Sequence, residues 1–532
     1  MVTRIARKTP AAAPGTAPAA APARRGKVSA QAAGAAKAVR KNVRRAATGM
    51  LGLSGERMSK VDTAWLRMDN ESNLMMINGV WTLSPGIGWQ ALCERVEQRL
   101  LQYPRFRQRV VEDAAGATWV EDRHFDIQAH VVREKLPHRR GQSMQRALQD
   151  RVGQLATEPL DPRRPLWQIH LVEDFVGDDG TRGSAMIVRI HHCIADGIAL
   201  ISVTMSLVDG GAEPPKRRKK EQPATAEDWI ADALLKPLTD LTVKALDLAG
   251  DGAAKSLHLL REPDKAVHHG LAGSVDAARL GYQLMSDAAS LLLMPDDSAT
   301  RLKGAPAGAK RVAWCPPLPL DEVKAIGKAL NCSINDVLLS CVAGALGGYL
   351  RSQGDDPAGQ EIRAMIPVNL RPMEEAWKLG NRFGLVPLVL PIGIANPVER
   401  VYEVRRRMQA LKGSTQPLLA FALLAVAGLL VKPAQDALLN LFGRKTTAVM
   451  TNVPGPKEQL TLCGSPVTQC MFWVPQSGDI GLGVSILSYG GGVQFGVITD
   501  TALCPDPQQI IDAFMPEFGQ LSVLTLMLPW GE

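Results

Sequence analysis

The sequence predicts a mixed α/β fold, and three observations carry that prediction. An apolar run, Ala185-Met186-Ile187-Val188-Arg189-Ile190, reads as a buried strand, and Gly197-Ile198-Ala199-Leu200-Ile201 opens a helical pattern shortly after it. Leu320 to Leu330 and Val337 to Leu350 place their apolar residues at helical spacing, the second densely enough for a buried helix. Ser485 to Tyr489 and Val493 to Val497 read as strands joined by Gly490-Gly491-Gly492, a hairpin turn and not a phosphate loop, because no Lys and helix follow in P-loop spacing. With 532 residues, 46% of them hydrophobic, the chain can bury more than one core.

Taken from the N-terminus, the first element is a basic extension. The formal net charge is +8, but residues 1–50 hold eleven Lys and Arg and no acid, so subtracting them leaves −3 for the rest. Thr9 to Arg24 is Ala/Pro-rich and cannot pack a core, whereas Val28 to Met50 lacks proline and can be helical. There Lys37, Arg40, Lys41, Arg44 and Arg45 form one basic stripe, which reads either as a contact to an anionic membrane or granule surface or as a solvated arm. Nucleic acid is a weaker reading, since no aromatic residues interleave the stripe. The acid-free, Arg-containing start also resembles a mitochondrial transit peptide, and prolines interrupt the apolar run that a secretory signal would need.

A first domain is expected over 51–209, with an early helix and then strands at Arg105 to Val111 and around Trp119. Residues 210–305 are expected to link the halves. Gly210 to Lys220 passes from Gly/Pro-rich to basic, as a solvated loop or a contact for CoA phosphates, and Asp228 to Leu293 is periodic enough for crossover helices. A second domain over 306–532 starts near Lys310 to Trp314, and Ser333 or Asn335 can cap the helix that follows. Leu418 to Val431 is 14 residues of apolar chain. Crossing the hydrocarbon core takes about 20, so a buried or interfacial helix is expected.

Chemistry concentrates between the strand and helix at His191-His192-Cys193-Ile194-Ala195-Asp196-Gly197. A neutral imidazole, with an unperturbed pKa near 6.5, can accept a proton at cellular pH, so one of the pair can serve as general base. Asp196 suits an N-cap, an orienting partner for a His, or an internal ion pair. Cys193 is either a small apolar filler or, less simply, a nucleophile beside His192. The eight cysteines are scattered without a CxxC pair and read as reduced thiols. The nine histidines are mostly isolated, and His268-His269 lacks the i, i+4 spacing of helical ligands, so no bound metal is expected.

The HHxxxDG spacing resembles the signature of the CoA-dependent acyltransferase superfamily. Further blocks, Pro159 to Trp167, Ile334 to Leu338, Ile366 to Arg371, Gly380 to Gly384 and Thr451 to Pro456, occur in the order found in bacterial wax ester synthase/diacylglycerol acyltransferases. The resemblance runs from about Met58 to Leu528. It implies two chloramphenicol-acetyltransferase-like domains, each a mixed sheet flanked by helices, joined by a helical linker with the active site at their interface. It further implies direct transfer of a long-chain acyl group from acyl-CoA, a co-substrate, to a fatty alcohol or diacylglycerol, with no bound cofactor. His192 would be the general base, His191 would shape the site, Asp196 and Gly197 would support the turn, and Asn335 would donate to the oxyanion. Asp336 belongs to the same Asn-Asp motif. Asp161, Pro165, Leu166 and Trp167 would position the acyl tunnel, with Trp167 as its apolar wall, or pack a strand. Asn369, Arg371 and Asn381 would lie near the cleft between the domains. The expected location is cytoplasmic, peripheral to the inner membrane or lipid bodies, with no nucleic-acid partner. Two other classes fit parts of the chain: a different acyltransferase of the superfamily, and a non-catalytic coat protein of lipid granules.

Overall fold

Alternating apolar residues build two large sheets beside a small three-stranded one, and the way the chain shares strands between the large two positions the site. The computed structural model describes residues 55–113, 116–137, 139–214, 293–371, 378–411, 416–428, 430 and 432–527. The basic stripe at 37–45, the Lys/Arg run at 216–220 and nearly all of the expected crossover helices lie outside the described residues. Glu56–Glu532 form one compact unit.

The first helix of the N-terminal half is α1 (Lys60–Arg67), which follows a short strand at Gly55–Arg57 and is capped by Ser59, whose side chain accepts the Asp62 N–H at 3.0 Å. Strand β1 (Met76–Leu83) and helix α2 (Trp89–Gln98) follow. Arg105 and Phe106, expected as strand, instead sit in a 3-10 turn at Pro104–Phe106, because Pro104 fixes its own φ and its carbonyl accepts the Arg107 N–H at 2.9 Å. The hairpin then runs through β2 (Gln108–Asp113) and β3 (Gly116–Glu121). Strand β4 (Val131–Arg133), helix α3 (Met144–Leu155), β5 (Trp167–Val176), β6 (Arg182–His191) and helix α4 (Gly197–Leu207) complete this half.

The C-terminal half begins with β7 (Lys310–Trp314), β8 (Leu318–Pro319) and helix α5 (Leu320–Ala329). Helix α6 (Ile334–Ser352) is buried over most of its length and starts at a capping box in which Ser333 and Asp336 satisfy each other's backbone N–H. After it come β9 (Ile362–Asn369), β10 (Phe383–Leu390), α7 (Pro397–Leu411), α8 (Gln416–Ala427) and α9 (Lys432–Arg444). Strands β11 (Ala448–Pro454), β12 (Thr461–Leu462), β13 (Ser465–Trp473), β14 (Leu482–Tyr489) and β15 (Gly492–Asp500) precede the last helix, α10 (Gln508–Leu526). Between β14 and β15 the turn is the pair Gly490–Gly491, with φ of +57° and +81°, a conformation that glycine adopts without strain. Gly492 already belongs to the strand.

The seven-stranded sheet orders β10-β9-β11-β14-β15-β7 with β8 beside β15, and it is mixed, β9-β11 and β11-β14 being parallel. The six-stranded sheet orders β12-β13-β1-β6-β5-β4. Thus β13, expected in the C-terminal domain, pairs with β1 of the N-terminal sheet, and β12 pairs with β13. A boundary drawn once along the chain does not divide the sheets. The reason is that β1 would otherwise expose an unpaired edge, and β13 covers it.

The apolar run at 418–431 is covered by α8 up to Ala427, which packs on β10 and α1. Among the described residues no single helix is long and apolar enough to cross a membrane.

Candidate active site

Strand β6 delivers the two histidines to a turn whose exit is fixed by Asp196. Asp196 caps α4, its Oδ1 accepting the Ala199 N–H at 2.9 Å. Its other oxygen, Oδ2, accepts from Arg371 Nη2 at 2.9 Å and from the Arg382 N–H at 2.8 Å. Cap and ion pair, alternatives in the sequence, are therefore simultaneous. Both partners of this pair are buried, a placement that costs several kcal/mol per ion unless lone pairs and protons are satisfied. Arg371 is further satisfied by the Gly380 carbonyl at 2.6 Å and by the Lys378 carbonyl.

The two imidazoles face different surroundings. His191 Nδ1 accepts the Cys193 N–H at 3.1 Å, which leaves the ring proton on Nε2, 3.3 Å from Asp69 Oδ1. The ring locks the turn and does not line the cavity. His192 lines the cavity, while its Nδ1 is buried without a hydrogen-bond partner, so Nε2 is the nitrogen left for a ligand. Burial pushes the His192 pKa down to about 4, outweighing the nearby Asp196 carboxylate, and the resting ring is neutral. The ring stacks on Trp65 with centroids 4.2 Å apart and planes 16° from parallel, and it meets Phe383 at 5.5 Å.

The cavity beside His192 has a volume of about 400 Å³. One wall is a single face of the C-terminal sheet: Met365, Pro367 and Asn369 of β9, Leu385 of β10, and Val449, Thr451 and Val453 of β11. Opposite them stand Ala420, Leu423, Leu424 and Ala427 of α8 and Leu439 of α9. From Val449 to Val453 the strand rises roughly 13 Å, which sets the length of this wall of the cavity, hereafter the slot. Its size and lining fall in the range of small-molecule sites, which are mostly apolar with a few polar groups that fix orientation.

A second buried network holds the turn from the N-terminal side. Asp62 Oδ1 accepts from the Asn381 backbone N–H at 2.9 Å and its side-chain amide at 2.8 Å, and Oδ2 accepts from Arg105 Nη1 at 3.1 Å. Asn381 Nδ2 also donates to the His192 carbonyl at 2.7 Å, and Arg105 Nη1 to the Ile194 carbonyl at 2.8 Å. Two carbonyls of the turn are thus held by groups anchored on one carboxylate.

Of the residues singled out in the sequence, His192, Asp196, Gly197 and Asn369 line the cavity, and Arg371 and Asn381 grip the turn. Gly197 does so without a left-handed φ. A Cβ there would meet nothing within 4 Å, so neither backbone conformation nor a close contact calls for glycine at this position. Asn335 is exposed and outside the lining, with its Oδ1 accepting from Asn452, which does line the cavity, at 2.8 Å. It is not the N-cap of its helix, since Ser333 holds that position.

Four residues of the Pro-Leu-Trp block and Asp336 lie away from the cavity. Asp336 closes the capping box, and Asp161 pairs with the neighbouring Arg163. Pro165 and Leu166 are buried just before β5, and Trp167 is buried against His130, donating to the Phe106 carbonyl at 2.8 Å. Of the two roles open to this block, tunnel wall or strand packing, Trp167 takes the second, because β5 turns it toward the N-terminal core. Residues not singled out as site residues include Trp65, Phe383, Asp62 and Asn452. The Ser-x-x-Asp spacing at Ser59 to Asp62 signals a helix start, but nothing local shows that this helix faces His192.

Cys193 is fully buried in the N-terminal core. Among the described residues no group of three His, Cys, Asp or Glu side chains converges as a metal-ligand set.

Comparison with known proteins meets this geometry from outside. Residues 58–338 match the wax ester synthase/diacylglycerol acyltransferase catalytic domain, and residues 379–522 the WS/DGAT C-terminal domain. A Mycobacterium tuberculosis protein named probable diacylglycerol O-acyltransferase tgs1 is 27% identical over 437 residues, 80% of this chain and 86% of its own. A second from that organism, named probable diacylglycerol O-acyltransferase tgs2, is 26% identical over 481 residues, 85% and 95% of the two chains. Among solved structures, the wax ester synthase/diacylglycerol acyltransferase from Marinobacter aquaeolei VT8 superposes with a TM-score of 0.60 at 19% identity, covering 89% of this chain and 100% of that one. The starter condensation domain of rhizomide synthetase, in complex with C8-CoA and Leu-SNAC, gives 0.51 at 13% identity, covering 90% and 96%. These two show a shared fold.

Proposed function

The chain belongs to the wax ester synthase/diacylglycerol acyltransferase family, and from that premise we propose that it transfers a long-chain acyl group from acyl-CoA to a fatty alcohol or diacylglycerol, with His192 as general base. The observation that carries the reading is the neutral, buried His192 at the edge of an apolar slot. A base must hold a free lone pair, and a neutral ring with its Nδ1 sealed in protein offers that pair at Nε2.

In the proposed step, His192 Nε2 removes the acceptor's hydroxyl proton as that oxygen attacks the thioester carbon. The carbon–oxygen bond forms, the carbon–sulfur bond breaks, and the proton passes from Nε2 to the departing sulfur. The products are the ester and free CoA. The low pKa of His192 favours the second transfer, since a weakly basic ring releases its proton readily. Burial of alkyl chain in the slot supports a long acyl group, because each methylene removed from water contributes about 0.8 kcal/mol. Asn335 lies outside the lining and meets it through Asn452, which occupies its Oδ1; its Nδ2 is the donor we assign to the oxyanion. Cys193 is fully buried in the N-terminal core and does not line the cavity, which gives no support to a covalent acyl-cysteine.

The test is thiol colorimetry of CoA release from palmitoyl-CoA, with hexadecanol and dipalmitoylglycerol offered separately to wild-type protein and His192→Ala. Acceptor-dependent release that the substitution abolishes is the expected result, and the two acceptors are ranked in the same experiment. Folded wild-type protein that releases CoA with neither acceptor would remove the reading.

A further inference from the structure

We propose that Trp65 takes part in the reaction by stabilising, with its indole face, the imidazolium that His192 becomes when it accepts the acceptor's proton. The proposal rests on the reading of His192 as base. Trp65 is 6% exposed and lies against the ring at 4.2 Å, with the planes 16° apart, well inside the roughly 6 Å over which an aromatic face attracts a cation. Indole offers the most negative face of the aromatic side chains, and desolvation strengthens the attraction.

The other charges near the turn are already committed. Asp196 is paired with Arg371, Asp69 is directed at His191, and Asp62 is shared by Arg105 and Asn381. None of these carboxylates has a hydrogen bond to the His192 ring among the described residues. The ring itself lies among aromatic side chains: Trp65 stacked, and Phe383 tilted by 46° at 5.5 Å. An aromatic face gains little from a neutral imidazole and more from a charged one. The contact is therefore stronger after proton transfer than before it, which is the kind of interaction that lowers a barrier and does not merely tighten binding.

Helix α1 delivers this contact together with a second one. Asp62 and Trp65 stand three residues apart, hence on one face of the helix. Asp62 does not turn back to close a capping box with Ser59, although its spacing allows it. Its carboxylate instead reaches Asn381, whose amide holds the His192 carbonyl. One helical turn thus fixes the backbone of His192 through Asp62 and supports its ring through Trp65. The opposite side of α1 is seated closely, as a Cβ on Gly428 would overlap the Lys60 carbonyl.

The experiment replaces Trp65 alone, by site-specific incorporation in the full chain, with mono-, di- and trifluorotryptophan, and measures kcat and KM with palmitoyl-CoA and the better acceptor. Fluorine withdraws charge from the face while changing shape little. We expect kcat to fall stepwise with each fluorine, by about tenfold or more across the series, with KM for palmitoyl-CoA unchanged. A kcat that stays level across the series, in protein with unaltered melting, would overturn the proposal. Trp65→Phe should fall within the series, and Trp65→Leu at or beyond its low end. His192→Ala separates the two readings. Full turnover in that variant removes the base assignment and this proposal with it, whereas lost turnover beside a level fluorine series removes only the role of Trp65.

Discussion

The turn that carries His192 and the slot it opens into are built in opposite ways. Around the turn, Asp62, Asp196, Arg105, Arg371 and Asn381 are buried or nearly so and are tied by directional bonds of 2.6–3.1 Å. Around the slot, Leu423, Leu424, Ala427, Val449 and Val453 make contacts without direction. A buried charge network tolerates little change, since removing one member leaves another without a partner, whereas apolar walls yield in proportion to the volume changed. Geometry at the reacting nitrogen is thereby held to a tighter tolerance than the shape of the space for the chain.

The sharpest break is at the base. His192→Ala should lower kcat by about 10²–10⁴ with folding intact, as judged by CoA release beside an unchanged thermal transition. Asp196→Ala should act on the fold as well, because Arg371 stays buried without its carboxylate; a loss of about 3–5 kcal/mol in chemical denaturation is expected. A loss below about 1 kcal/mol would mean that the turn is not held in the way its bonds indicate.

Acid should separate the turn from the slot without any substitution. The His192 pKa is about 4 in the native protein and ordinarily near 6.5, so the unfolded chain binds this proton first as pH falls. Stability from this group is therefore complete above about pH 6.5 and is lost as pH drops toward 4, by roughly 3 kcal/mol. His192→Gln should flatten that part of the stability profile relative to wild type. The same shift predicts an acidic limb of kcat/KM near pH 4 and not near 6.5, since the base must be neutral to act.

The smallest effect is expected in the slot. Ala427→Phe places a ring in the wall formed by α8 and should lower kcat/KM for palmitoyl-CoA relative to octanoyl-CoA by about tenfold, leaving the octanoyl reaction near wild type. Equal loss for both chains would place the acyl group elsewhere.

Much of the turn is legible in the sequence alone. Strand, two histidines, capping Asp and helix follow one another within about twenty residues, and each signal is local: apolar alternation, an N-cap, a helical period. The Gly490–Gly491 hairpin and helices α5 and α6 are legible for the same reason. Arg105 reads wrongly as strand because the Tyr103-Pro104 pair just before it sets up a 3-10 turn, and Trp167 stays open in sequence between tunnel wall and strand packing because a strand residue can face either of two sides.

By itself the sequence determined the local elements and the pairing of a base with a capping acid, since these depend on residues a few positions apart. Only the tertiary structure decided which histidine faces the cavity and what holds it. Asp62 meets Asn381 across 319 positions and Arg371 meets Asp196 across 175, while β13 joins a sheet begun nearly four hundred residues earlier. Such contacts are set by how sheets pack and share strands, and no periodicity along the chain encodes them. Trp65 shows the limit most plainly: in sequence it is an apolar residue on a short helix, and in the fold its ring is the surface on which His192 lies.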